Sequence, residues 1–312
     1  MILGIIPLGL LLILGEAYLR TDLADAELPQ DCTYDATSLL IKSHHVRALE
    51  QKGWVVIPMA LNETSLRNAR QDLFQFLSDT AKNTNKEEKK TDNAMELSSN
   101  DADVRQDRVA WFKATSNKNG GIEEGDSETI GKHMDHCVRL IRGVAQALTE
   151  QQYDDGTATT TTSTATKSSS VQYRVPTKCQ FAWYSGDGSS IYHRHLDQCR
   201  NSIWELGLLE WLRLSDYRRR AVTVILYLNL ADRPTSEGGA LRCWVEKDQS
   251  DNDDVLTTNT NDSDTQFQAP FDIQPKGGTM VIFQSNKVEH MVTASTVDRF
   301  AITSWISRTS IK

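Results

Sequence analysis

Apolar residues recur at helical spacing through the first half of the chain, and at every second position after Val171. Ser38 to Lys52 is a helix candidate stopped by Gly53, and Trp54 to Pro58 then reads as a strand. Asn62 is placed to cap a second helix with Leu66, Leu73 and Leu77 along one side. Ser127 can start a third, in which Ile130, Met134, Cys137, Ile141, Val144 and Leu148 keep helical spacing. Between these two helices, Asp107 to Phe112 reads as a strand. In the period-two region the strand candidates are Phe181 to Tyr184, Ser190 to Asp197, Ala221 to Leu230, Ala240 to Val245, Thr279 to Phe283, Val288 to Thr293 and Arg299 to Ile306. Turn signals such as Ser185-Gly186-Asp187-Gly188 and Pro275-Lys276-Gly277-Gly278 separate them. Helices first and about seven or eight short strands second predict an α+β chain around one sandwich or jelly-roll core.

Three tracts interrupt the pattern. Lys82 to Asp103 is charged, Asp154 to Ser170 is nearly all Thr, Ser and Ala, and Lys247 to Gln268 is rich in Asp, Asn and Thr. None has the apolar surface to offset the entropy of ordering it, so they are expected to be disordered loops grown out of a compact fold. The organisation expected is therefore a leader at 1–17, a helical and strand support region at 36–170, and a β core at 171–312.

Composition adds exclusions. A hydrophobic fraction of 39% and a charged fraction of 24% are ordinary for a globular chain. The net charge of −8 argues against nucleic acid as a partner, which would need a basic face. The run Arg218-Arg219-Arg220 is expected to be a solvated patch. Cys32, Cys137, Cys179, Cys199 and Cys243 include no C-x-x-C pair and are odd in number, so packed thiols are expected, with one or two bridges left open. Met1 to Leu14 is apolar but shorter than the roughly 17 residues needed to span a bilayer. Its length suits the core of a secretory signal, with Gly15-Glu16-Ala17 as a cleavage site, although basic residues ahead of it are missing and Pro7 breaks it. Membrane contact is expected only through this segment. The sequons at Asn62 and Asn261 are compatible with secretion.

The chemistry concentrates in His195-Leu196-Asp197. On a strand, residues two apart share a face, so imidazole and carboxylate can converge on one ion. His290, the one histidine after Asp197, completes a two-histidine, one-carboxylate face that leaves metal positions open, as Fe(II) needs to hold a cosubstrate and O2. His133-Met134-Asp135 falls in the third helix, where residues two apart point about 200° apart and cannot share a metal. His133 is read as a surface residue and Cys137 as core; His44 and His45 are read as surface residues. His193 sits on the same expected strand face as His195 and is a rival partner for it on a metal; with Asp197 placed beside His195 as the carboxylate ligand, the alternative position for His193 is the pocket edge.

Arg299 alternates with Ala301, Thr303 and Trp305, opposite an almost wholly apolar face of Phe300, Ile302, Ser304 and Ile306. An arginine directed into a barrel is costly unless it meets an anion, and the distal carboxylate of 2-oxoglutarate would supply one. Taken alone, a surface pair with Asp298 explains Arg299 equally well. Tyr227 lies in the apolar run Val222 to Asn229; its hydroxyl needs a partner there, and the same carboxylate could serve. By itself it would be read as a core tyrosine.

With these residues assembled, the chain resembles the 2-oxoglutarate and Fe(II)-dependent prolyl 4-hydroxylases, nearest the branch of the hypoxia-inducible-factor prolyl hydroxylases. The stretches that carry the resemblance are Tyr184 to Gly188, Tyr192 to Asp197, Tyr227-Leu228-Asn229, Gly238 to Arg242 and Arg299 to Trp305, with Lys52 to Ile57 and Asp107 to Trp111 upstream. The resemblance implies a double-stranded β-helix with supporting N-terminal helices. It implies that His195, Asp197 and His290 hold iron, that Arg299 and Tyr227 hold 2-oxoglutarate, that Thr303 assists Arg299 and that Tyr184 lines the pocket. The implied reaction is hydroxylation of proline in a protein or peptide, using O2 and yielding succinate and CO2. Ascorbate keeps iron reduced in this family, and oxygen sensing is a possible role within it. Ile203 to Leu214 lengthens the chain relative to that family; with Trp204, Leu208 and Trp211 on one side it is expected to be a helix, packed outside the barrel or serving as a lid.

Two other readings remain: an oxygenase of a non-prolyl substrate, and a non-catalytic jelly-roll binding module that would have no need of the complete residue set. Arginine at position 299 suits cytoplasmic or nuclear members of the family, whereas a working leader would place the chain in the secretory pathway.

Overall fold

The structure, a computed structural model, describes residues 40–83, 96–97, 105–113, 130–151, 171–207, 214–247 and 267–310. The leader at 1–17, the Thr-rich tract, Cys32 and the Asn261 sequon lie outside the described residues.

Helix α1 (Ser43–Lys52) ends at Gly53, whose φ of 81° is the left-handed conformation that closes a helix, with its N–H on the Leu49 carbonyl. Strand β1 (Trp54–Ile57) follows. Helix α2 (Glu63–Asn83) starts behind Asn62, which accepts from the Ser65 N–H at 2.8 Å, as the sequence predicted. Helix α3 (Lys132–Gln151) is capped from α2: Asp72 Oδ2 accepts from the backbone N–H of His133 and of Met134. The remaining elements are β2 (Glu96–Leu97), β3 (Arg108–Lys113), β4 (Val171–Arg174), β5 (Lys178–Tyr184), β6 (Tyr192–His195), α4 (Ile203–Leu206), α5 (Ser215–Arg219), β7 (Arg220–Tyr227), β8 (Leu241–Val245), β9 (Phe271–Ile273), β10 (Met280–Gln284), β11 (Val288–Val292) and β12 (Arg299–Ser310).

The strands form two antiparallel sheets in the expected jelly-roll arrangement. The larger runs β1-β10-β7-β12-β5-β3-β2, with β4 also on β12; the smaller runs β6-β11-β8-β9. Strand alternation divides the larger sheet into two faces. Val222, Val224, Leu226, Ile282, Phe300 and Ile302 point outward and join Leu73, Met134, Ile141 and Val144 of α2 and α3 in one core. Ile225, Tyr227, Val281, Phe283 and Ala301 point inward and meet Leu241, Cys243, Val288 and Val292 of the smaller sheet in a second. Cys137, Cys179 and Cys243 are buried free thiols and Cys199 is a half-buried one. No helix among the described residues is long and apolar enough to cross a membrane.

Four elements differ from the sequence expectation. Strands β4 and β9 are three or four residues long, too short to show a period. Within the tract read as disordered, Glu96 and Leu97 pair with Val109 and Arg108. The helix expected over Ile203 to Leu214 stops at Leu206 because Gly207 takes a φ of 77°. Trp204 is 93% exposed, so it packs on nothing described; Leu208 and Trp211 lie outside the described residues.

A tight crossing braces the end of β12. Asn229 donates to the Pro275 carbonyl and accepts from the Phe300 N–H, and a Cβ on Gly277 would fall 1.8 Å from the Asn229 carbonyl oxygen. Gly277→Ala is therefore expected to destabilise the protein at the upper end of the about 1–3 kcal/mol that overpacking costs, read as a lower midpoint in urea with an unchanged slope.

Candidate metal centre

His195 at the end of β6 and His290 on β11 are direct cross-strand partners, which sets their ring centroids 4.3 Å apart. Each ring is aimed by a carbonyl two residues earlier: His195 Nδ1 lies 2.7 Å from the His193 oxygen, His290 Nδ1 3.4 Å from the Val288 oxygen. With Nδ1 directed at an acceptor, Nε2 presents its lone pair to the cavity. His195 Nε2 is buried and has no hydrogen-bond partner among the described residues. Burial, aided by neighbouring His195, lowers the His290 pKa to about 4, so this imidazole is neutral near pH 7.

The β6–β11 register shifts between His290 and Val292. One extra residue on β6 breaks strict alternation, so Tyr192 and His195, three apart, face the interior together and stack at 3.8 Å. His193 and Arg194 are turned outward. His193 is exposed and Arg194 pairs with Glu289 over the Trp244 ring, which corrects the placement of His193 on the His195 face.

Asp197 corrects the argument from strand faces. The strand ends at His195 and Asp197 sits in the bend beyond it, yet its carboxylate still reaches both histidines. Asp197 Oδ1 is 3.7 Å from His195 Nε2, and Oδ2 is 3.6 Å from His290 Nε2. Thr223 of β7 donates to Oδ2 at 2.7 Å, and Ser285 Oγ lies 2.8 Å behind the Thr223 hydroxyl. Burial opposes ionisation of Asp197, but His290, His195 and Arg220 outweigh it and hold its pKa far below the ordinary carboxylate value. Among the described residues these three side chains alone bring metal-ligating atoms together, all within 4.8 Å of one another. Two imidazole nitrogens, one of them buried without a hydrogen-bond partner among the described residues, and one carboxylate fit a divalent first-row metal such as Fe(II).

The cavity beside this cluster extends between the sheets to Arg299, which is 2% exposed. Its Nε donates to the Gly239 carbonyl at 2.9 Å, and its guanidinium lies over the rings of Tyr184, its cross-strand partner, and Tyr227. No carboxylate among the described residues pairs with Arg299; Asp298 instead accepts from the Gly186 N–H. Among the described residues the buried Tyr227 hydroxyl has no partner within hydrogen-bond geometry, and burial lifts its pKa to about 12 against the pull of the neighbouring Arg299. Thr303 lines the same cavity. A buried cation and an unsatisfied hydroxyl side by side make an anion-binding pocket.

Two arginines were missed by sequence reasoning. Arg105 grips buried Asp107 with two hydrogen bonds of 2.6 Å, bonds Gln180 and covers the Tyr192 ring at 4.7 Å, so it backs the ring that stacks on His195. Arg220 does not belong to a solvated patch. It is held between the rings of Tyr217 and Trp305, each at 4.0 Å, with Nη1 4.0 Å from Asp197 Oδ1. The available signal was position: Arg220 precedes an apolar strand by one residue, and Arg105 stands two before an aspartate at a strand start.

The other histidines lie elsewhere. His133 is half-buried at the start of α3 and Cys137 is 1% exposed in the helical core; His44 is exposed and His45 half-buried on α1.

Residues 179–307 match the family model of the 2OG-Fe(II) oxygenase superfamily. No curated protein sequence matches the chain. Among solved structures, a prolyl hydroxylase from Trichoplax adhaerens, in complex with a hypoxia-inducible-factor oxygen-degradation-domain peptide, aligns with a TM-score of 0.53 at 18% identity. That alignment covers 87% of this chain and 90% of the other, and it shows a shared fold. A Pseudomonas putida prolyl-4-hydroxylase aligns at a TM-score of 0.49 and 18% identity over 86% of this chain and 99% of its own. The non-heme alpha-ketoglutarate-dependent carbocyclase SnoK from nogalamycin biosynthesis aligns at 0.49 and 14% identity over 88% and 87%.

Proposed function

We propose that the 2OG-Fe(II) oxygenase domain at residues 179–307 hydroxylates prolyl residues of a protein or peptide. The observation that carries the reading is that one cavity is lined both by His195, Asp197 and His290 and by Arg299, which pairs with no carboxylate among the described residues and lies over the Tyr227 ring. In this reading His195, Asp197 and His290 hold Fe(II). Arg299 and Tyr227 take the distal carboxylate of 2-oxoglutarate, Thr303 assists, and Tyr184 closes the cavity wall. The bound metal with 2-oxoglutarate supplies the O2 chemistry, coupled to release of succinate and CO2, with ascorbate keeping iron reduced. The protein orients the cosubstrate by a two-pronged guanidinium contact and keeps water from it with the two tyrosine rings.

The prolyl substrate is supported by the matching stretches Tyr192 to Asp197 and Arg299 to Trp305, and by the peptide held by the Trichoplax enzyme of the same fold. The same support extends the reading to oxygen sensing. Purified protein given Fe(II), 2-oxoglutarate, ascorbate and a library of proline-containing peptides is expected to form succinate and add one oxygen to proline, read by mass spectrometry. Succinate formation with oxygen only on other residues would overturn the prolyl substrate and leave the oxygenase; no succinate under any condition would overturn both.

A further inference from the structure

Thr223 is the one residue with an aliphatic hydroxyl in the apolar run Val222 to Leu228, and it is wholly buried. Valine has nearly its shape and would suit a buried strand. A buried hydroxyl, by contrast, costs about 1–3 kcal/mol unless hydrogen-bonded. Its bonds are short and fully assigned. An ionised carboxylate only accepts, so the Thr223 proton lies toward Asp197 Oδ2; the Ser285 proton then lies toward Thr223 Oγ1. Ser285 is also wholly buried, and its backbone ties the same neighbourhood together: its N–H donates to the Ala221 carbonyl, and its own carbonyl accepts from the Gln198 N–H. The residue next to Asp197 is thereby fastened to the turn after β10, and that turn to β7. This is why a carboxylate lying beyond the end of its strand still faces two histidines.

Resting on the reading of His195, Asp197 and His290 as the metal site, we propose that Thr223, backed by Ser285, is a positioning pair for Asp197. It engages Oδ2 within the protein and leaves Oδ1 to bind the metal. Coordination through one oxygen keeps the count of protein ligands at three and the other positions open for cosubstrate and O2. Thr223 touches neither metal nor substrate and acts only through Asp197.

The test uses Co(II) as the probe, with affinity read by calorimetry and coordination number by the visible absorption of the bound ion. Thr223→Val is expected to weaken Co(II) binding about 10- to 100-fold, the range for losing an outer partner of a metal ligand, and to change the absorption intensity as the carboxylate closes on the metal through both oxygens. Thr223→Ser, which keeps the hydroxyl, should restore both readouts. Ser285→Ala should weaken binding several-fold, and it carries the test if Thr223→Val does not fold. Wild-type affinity and an unchanged spectrum in Thr223→Val, or wild-type affinity in Ser285→Ala where Thr223→Val is lost, would overturn the positioning role while Asp197→Ala still abolished binding. Co(II) binding by Asp197→Ala as tight as wild type would overturn the metal site itself, and the positioning role with it.

Discussion

Asp197→Ala removes the response of the protein to metal. Fe(II) affinity under anaerobic conditions is expected to fall by more than the roughly 100-fold that marks the upper end for a merely supporting residue, and 2-oxoglutarate turnover should drop to background. Asp197 is the single anion of the cluster, held ionised between two imidazoles and Arg220. Without it, two imidazole nitrogens must bind a dication with no carboxylate in the cluster to balance its charge. Thermal unfolding gives a readout that does not depend on turnover. Metal at 100 times its dissociation constant adds about 2.7 kcal/mol to the stability of a protein that binds it only when folded. The wild-type melting temperature should rise accordingly and that of the variant should not; an equal rise in both would remove Asp197 from the site.

Arg299→Met separates cosubstrate binding from folding because the two are expected to respond differently. Losing one partner of a buried, hydrogen-bonded charge pair costs about 2–5 kcal/mol, so 2-oxoglutarate affinity should fall by about 30-fold to a few thousand-fold. Without added 2-oxoglutarate the guanidinium is buried with no carboxylate from the described residues beside it, held by the Gly239 carbonyl and two tyrosine rings. An apolar side chain of similar length spares the desolvation of that charge, so the melting temperature without cosubstrate should not fall. Metal binding should persist, because Arg299 is not among the clustered metal-ligating side chains. Undiminished 2-oxoglutarate affinity in Arg299→Met would move the cosubstrate site elsewhere.

Much of this arrangement was legible in the sequence where long, regular strands carry it. The alternation of Arg299, Ala301, Thr303 and Trp305 against Phe300 and Ile302 is the division seen between the cavity and the helix-facing core. The two histidines could be paired because no other histidine follows Asp197. What could not be read depends on departures from regularity. The bulge in β6 reverses the side of His193 and brings Tyr192 inward, and Tyr192 to His195 contains no glycine to announce it. Asp197 reaches the histidines through Thr223 and Ser285, contacts 26 and 62 residues apart along the chain. Arg105 and Arg220 looked like surface charges because the rings and carboxylates that enclose them come from distant segments. The helix expected over Ile203 to Leu214 has the apolar spacing, but Gly207 adopts a backbone conformation that ends it.

The two-faced larger sheet has a consequence for how this protein can change. Two different surfaces share the same strands, one residue apart: Leu226 and Ile302 support the helices, while Ile225, Ala301 and Thr303 line the inner chamber. Tolerance to substitution should therefore oscillate residue by residue along β7 and β12. A library restricted to the chamber side could redirect which molecules enter while the load-bearing side keeps the scaffold standing.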